Sequence, residues 1–195
     1  MAVLKATVGT WVGPTARRLG AACLFGLAML GARAAPAEPI SAEYKVKAVF
    51  LFRFTQFVEW PAQAFNGPKA PLVIGVLGED PFGSYLDDLA KGEKVDDHPV
   101  IVRRFRNLSE IGACNLLFIS RSEAAQLTGI IARLQGMNVL TLGDSDDFSR
   151  QGGMVRFAME RGKIRPWIDV KATTAAGLTI SSKVLLLAKI VTADR

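Results

Sequence analysis

The sequence predicts an α/β domain: a three-layer sandwich with a mainly parallel sheet, a C-terminal β-hairpin and a closing helix. Three observations carry this. Short apolar runs, "PLVIGVL", "HPVIVRRF", "NLLFIS" and "MNVLTLG", alternate with segments patterned for helix, as βαβ units do. Those runs are apolar at nearly every position, which suits strands buried on both faces. Finally, "GGMVRFAMERGKIRPWIDV" breaks the alternation with two strand-like runs joined by "ERGK", which reads as a hairpin.

The elements follow in order. From Ala42 to Trp60, Val46, Val49, Phe50, Phe54, Phe57 and Val58 recur at spacings of three and four, the stripe of an amphipathic helix. Lys45, Lys47, Arg53, Gln56 and Glu59 take polar positions, and Pro61 stops the helix. Leu51 and Phe52 point away from the stripe, so the helix is apolar over much of its circumference. Such a helix is sandwiched in the core or shared with another protein. Phe50, Phe54 and Phe57 are expected in the core, and the Leu51–Phe52 side offers a dimer contact. After the strand ending at Gly78, Asp80 is a candidate N-cap with Pro81 at the first helical position. Strands follow at 98–105, 115–120 and 137–144, with a short helical turn at "NLSEIGA" between the first two. A helix runs from Ser122 as cap to Gly136 as stop, and a short capped helix spans Ser145 to Gln151. Pro166 confines the second hairpin strand to an edge or bulge. "KATTAAGLTISSKVLLLAKIV" is expected to close the chain as one helix, although Gly177 weakens its start.

Charge and targeting narrow the function. The 195 residues carry a net charge of +6. Residues 1–34 hold Lys5, Arg17, Arg18 and Arg33 and no acid, which leaves 20 basic against 18 acidic residues in the remainder. That near balance argues against a nucleic-acid partner. Residues 1–34 read as a secretory signal peptide: a positive start, the apolar run "LGAACLFGLAML" and small residues around "ARA". The run is shorter than the roughly 20 residues that span a bilayer. Residues 35–40 form a short flexible lead, and 41–195 a single domain. The expected location is the periplasm, with no membrane insertion once the signal is removed.

Candidate chemistry is sparse. His98 is the one histidine, placed at a strand start, where it reads as a capping or surface residue. No G-x-S-x-G, Walker or G-x-G-x-x-G motif occurs. "GDSDDF" clusters Asp144, Asp146 and Asp147, which read as caps more readily than as ligands for a divalent cation. The expectation is a protein with no catalytic residues, no cofactor and no metal. In an open parallel sheet, ligands sit beyond the carboxyl ends of the strands. There the sequence places Glu79 and Asp80, Ser120, Arg121 and Ser122, and Asp144 and Ser145, the loops of an alternative small-molecule-binding reading. Phe157, Trp167, Ile168 and Leu185 are large apolar residues near a predicted sheet edge, and are candidates for partner binding or for closing the core. Cys114 is the one cysteine beyond the signal segment and is expected to be buried and inert.

The order of "AEYKVKAVFLFRFTQFVEWP", "IGVLGEDPFG", "HPVIVRRF", "CNLLFIS", "GGMVRF" and "AGLTISSKVLLLA" resembles the YfiR-like periplasmic repressors, over about Ser41 to Val191. The resemblance implies a homodimer that binds the periplasmic sensory domain of an inner-membrane diguanylate cyclase. It would thereby repress cyclic di-GMP synthesis and biofilm formation. It also implies release by an outer-membrane peptidoglycan-binding lipoprotein. Studied relatives carry further cysteines in intramolecular disulfides. Here Cys114 has no partner in the exported chain, which puts redox control by that route in doubt.

Overall fold

In the computed structural model, which describes Gly9 and residues 39–192, β1 (Val58–Glu59) is a short extended piece, and all six residues of β2 (Leu72–Leu77) are buried. The four of β5 (Leu116–Ile119) and the four of β6 (Leu140–Gly143) are buried too, as in the middle of a parallel sheet. β4 (His98–Phe105), β2, β5, β6 and β7 (Val155–Glu160) run parallel. β8 (Lys163–Asp169) returns antiparallel to β7 as the expected hairpin. With β3 (Lys94–Val95) and β10 (Lys189–Val191) at its edges, the sheet has eight strands in the order β10-β8-β7-β6-β5-β2-β4-β3. One face packs against α1 (Ala42–Phe57) and α2 (Ser84–Ala90) around Leu51, Phe54, Phe82, Phe118 and Phe157. The other packs against α3 (Leu127–Leu134) around Leu77, Leu117, Ile130 and Phe148. The three-layer α/β fold class is therefore the one expected. The predicted signal segment and lead lie outside the described residues, but for Gly9, Pro39 and Ile40.

The first helix differs from expectation in its face. Ala48, Leu51, Phe52, Phe54 and Val58 are buried, whereas Val46 and Val49 are 45% and 38% exposed. Positions 47, 51, 54 and 58 make a stripe at helical spacing as good as the one beginning at Val46. The buried stripe contains Lys47, only 1% exposed, and a lysine there disguises it as a polar face. The helix stops at Phe57 because Val58 and Glu59 pair with β9 (Thr179–Ile180).

Local chemistry also corrects four caps and ends. Asp80 closes a turn by accepting from the Phe82 N–H at 2.7 Å, and α2 begins only at Ser84. Ser120, not Ser122, precedes a 3₁₀ turn (Arg121–Gln126) that leads into α3. Ser145 to Gln151 form turns rather than a helix. They swing Phe148, fully buried, against Gly143 and Gly153, where any Cβ would overlap its ring. The single closing helix is replaced by α4 (Val170–Ala175), β9, α5 (Ser182–Leu185) and β10. Gly177, at φ +72°, ends α4 in the left-handed conformation that glycine tolerates, and Thr179–Ile180 favours a strand. Pro166 is tolerated because β10 covers only Trp167 to Asp169 of β8. The first half of β8 is an edge, as its proline requires.

Candidate partner-binding groove and the ion pair behind it

The outward stripe of α1 is not solvated surface but one wall of an apolar groove. Val46, Val49, Phe50 and Phe57 line it with Tyr85 of α2, Pro166 of β8, and Val184 and Leu187 from α5 and its exit. The cavity measures about 430 Å³. Lys45 and Arg53 are basic residues on its lining. Two features hold the walls together. The β1–β9 pairing brings the chain before α5 against the end of α1, and the Ser181 N–H donates to the Phe57 carbonyl at 2.8 Å. Beneath the floor, the rings of Phe50 and Phe54 lie 5.8 and 6.4 Å from that of Phe157. Leu187 is 73% exposed and Leu186 85%. An exposed apolar cluster of this kind marks a binding surface.

The predicted partner residues divide. Phe157 and Ile168 are buried at 2% and 0% and belong to the core, so neither presents its side chain to another molecule. Leu185 is half-buried against that core. Trp167 points to the opposite face of the hairpin, where its indole N–H donates to Glu160 at 2.7 Å. The residues that do line the groove, Val46, Val49, Val184 and Leu187, were missed or assigned inward. The run "VLLL" held the signal, since a helix of one turn cannot bury three consecutive leucines on one side.

The predicted ligand loops do meet at the carboxyl ends of β2, β5 and β6, and most of their polar groups bond to one another or to neighbouring side chains. The Glu79 N–H donates to the Ser122 hydroxyl at 3.0 Å. Gly78, at φ +86°, leaves no room for a Cβ against Ser122 and Glu123. Asp80 is clamped by Arg104 at 2.7 Å, and the same guanidinium forms a two-pronged pair with Asp87 at 2.9 and 2.6 Å. Those bonds hold the Asp87 carboxyl below its ordinary range. Asp144 is fully buried and ion-paired with Lys47. It also accepts from the Tyr44 hydroxyl at 3.0 Å and lies 3.3 Å from Arg121, whose guanidinium donates to the Asp144 carbonyl at 3.0 Å. Lys47 has a second partner in Glu43 at 2.5 Å. Ser145 takes part through its carbonyl, which accepts from the Phe148 N–H at 3.1 Å. The acidic cluster does not converge: Asp146 pairs with Arg156 and Asp147 with Arg150. Among the described residues no three His, Cys, Asp or Glu side chains gather as a metal site.

Two titrating groups give measurable consequences. Burial first, and then the neighbouring Asp144, push the Tyr44 hydroxyl up from 10.0 to about 12. A pKa raised in the folded state means that the protonated phenol favours folding. This contribution is complete below pH 10 and is lost as the pH rises toward 12. Urea midpoints should therefore fall between pH 10 and 12, and Tyr44→Phe should flatten that part of the profile. Cys114 is buried, with its thiol pushed up to about 12 by desolvation. Because the thiolate is the nucleophile, iodoacetamide at pH 8 should leave Cys114 unmodified by mass spectrometry in the folded protein and modify it fully in urea. His98 stacks on Phe65 at 3.8 Å and shares a hydrogen bond of 2.6 Å with the Ala70 carbonyl.

Fold and groove together describe a mainly parallel α/β protein with an apolar groove between α1 and α5. The sequence profile of the YfiR/HmsC-like family matches residues 44–189, and the chain belongs to that family. No curated protein matches the sequence. Among solved structures, the chain is similar to the ABC domain in complex with L-Trp from Streptococcus pneumonia. The identity is 13% and the TM-score 0.46, over 62% of this chain and 55% of that one. It is also similar to a conserved domain protein from Vibrio cholerae O1 biovar El Tor, at 13% identity and TM-score 0.46, over 60% and 54%. The chain thus spans about half the length of these two structures. Among the described residues no helix is long and apolar enough to cross a membrane.

Proposed function

We propose that this protein is an exported repressor. In this reading it seats the groove between α1 and α5 on the periplasmic sensory domain of an inner-membrane diguanylate cyclase. The observation that carries the reading is the groove itself: Val46 and Val49 stay exposed on a helix that buries its other large apolar side chains wholly or in part, and Leu187 faces them exposed. The repressor binds the inactive conformation of the cyclase more tightly than the active one. A differential affinity of about 5.5 kcal/mol turns a 1:99 population into 99:1, so no bond in any substrate need change. An outer-membrane peptidoglycan-binding lipoprotein relieves repression by competing for the repressor, which acts as a homodimer. The test is genetic and biochemical. Deleting the gene should raise cyclic di-GMP only in cells that keep the partner cyclase, and the purified sensory domain should capture the protein. Unchanged cyclic di-GMP with the cyclase present would end the repressor reading.

A further inference from the structure

A second surface lies on the other side of the sheet and owes nothing to the groove. The register sets Trp167 between Arg156 and Lys189, Arg165 opposite Ala158, and Lys163 opposite Glu160. Side chains alternate across a strand, so these residues share one face of β7, β8 and β10, while Val155, Phe157 and Ile168 take the core side. On this side α3 packs over β2 and β5. Beyond them the hairpin presents charges instead of the apolar residues that a covering helix would need. The Trp167 ring lies 3.8 Å from the Lys189 ammonium and 5.0 Å from the Arg156 guanidinium. At the hairpin tip, Arg161 adds a further exposed cation. Among the described residues of this face, Arg156 is 16% exposed and paired with Asp146, and Arg165 is paired with Glu160, while Arg161, Lys163 and Lys189 are its exposed cations outside those pairs.

From this arrangement the geometry points to a docking face for an anionic phospholipid surface, with the hairpin tip leading. Tryptophan with lysine and arginine is the side-chain set of the membrane–water interface. Each cation near an anionic leaflet adds to binding, and the long basic stems reach headgroups without moving the backbone. A protein partner fits less well, because the centre of a protein interface is depleted in charge and rich in apolar area. Here the centre is a single tryptophan flanked by cations.

The protein as purified from exporting cells would be sedimented with vesicles of phosphatidylcholine alone and with vesicles containing one-third phosphatidylglycerol. Binding should tighten at least about tenfold with the anionic lipid and weaken as salt rises. Two variants probe the face, Arg161→Glu with Lys163→Glu, and Arg165→Gln with Lys189→Gln. Each should lose most of that gain at an unchanged Tm, while Val49→Asp in the groove should bind vesicles as the parent does. Equal binding to both vesicles, or variants that bind as the parent, would overturn the assignment. So would capture of an acidic protein domain that the variants lose while vesicles go unbound. None of these outcomes depends on whether a cyclase is the partner of the groove.

Discussion

Replacing Asp144 with alanine is expected to cost the domain about 3–5 kcal/mol, the usual penalty for breaking a buried ion pair by removing one partner. For a domain of this size that is a fall in Tm of about 10 °C. The reason lies in what the substitution leaves behind. Lys47 is 1% exposed and its strong partner is Asp144; the remaining one, Glu43, is 38% exposed. An ammonium in that position without its carboxylate has lost most of its solvation and half its pairing. Tyr44 loses its acceptor and Arg121 an ion-pair contact at the same site. The pair need not be a net stabiliser: a Lys47→Met, Asp144→Leu double variant is expected to recover much of the loss, because two apolar groups of similar volume avoid desolvation altogether. Urea denaturation of Lys47→Met, of Asp144→Leu and of the double variant closes the cycle. Single variants within about 0.5 kcal/mol of the parent, the scatter of ordinary surface changes, would show that the pair is not a buried constraint.

How much of this was legible from sequence follows from where the controlling interactions sit. The central strands β2, β5 and β6 were readable because each is apolar at nearly every position, a pattern set by burial on both faces. The hairpin was readable because "ERGK" supplies Gly162 at φ +76° for its turn. The face of α1 was not readable. Two stripes fit the helical period, and the choice depends on an ion pair between positions 47 and 144, nearly a hundred residues apart. Propensity cannot see a charge that is neutralised by a distant strand end. The closing segment failed for a related reason. "ATTAAGLTISSKVLLLAK" has the composition of a helix, but pairing of Ile180 with Val58 outweighs local preference. The groove was half visible: a helix apolar on both sides had to share one of them. Which side depended on the choice that the lysine hid.

That shared side makes the second large effect. Val49→Asp is expected to weaken binding of the cyclase sensory domain by about 30- to 1000-fold, corresponding to the roughly 2–4 kcal/mol typical of an interface hot spot. Val49 lies on the groove wall, 38% exposed, so the free protein keeps the new carboxylate in water. Docking an apolar partner would strip that water, which the neighbouring Lys45 and Arg53 of α1 offset only in part. Stability should accordingly stay within about 0.5 kcal/mol, the reverse of the Asp144→Ala result. In cells the variant should be exported normally yet fail to lower cyclic di-GMP. Leu187→Ala, at the opposite wall, should weaken binding in the same direction by a smaller factor, because truncation removes contact area without burying a charge. Calorimetric titration of the sensory domain into each variant decides the matter. Parent protein that binds, with Val49→Asp binding as tightly, would move the interface away from this groove while leaving the repressor reading intact. Parent protein that does not bind at all would remove the reading and leave the groove in need of another occupant.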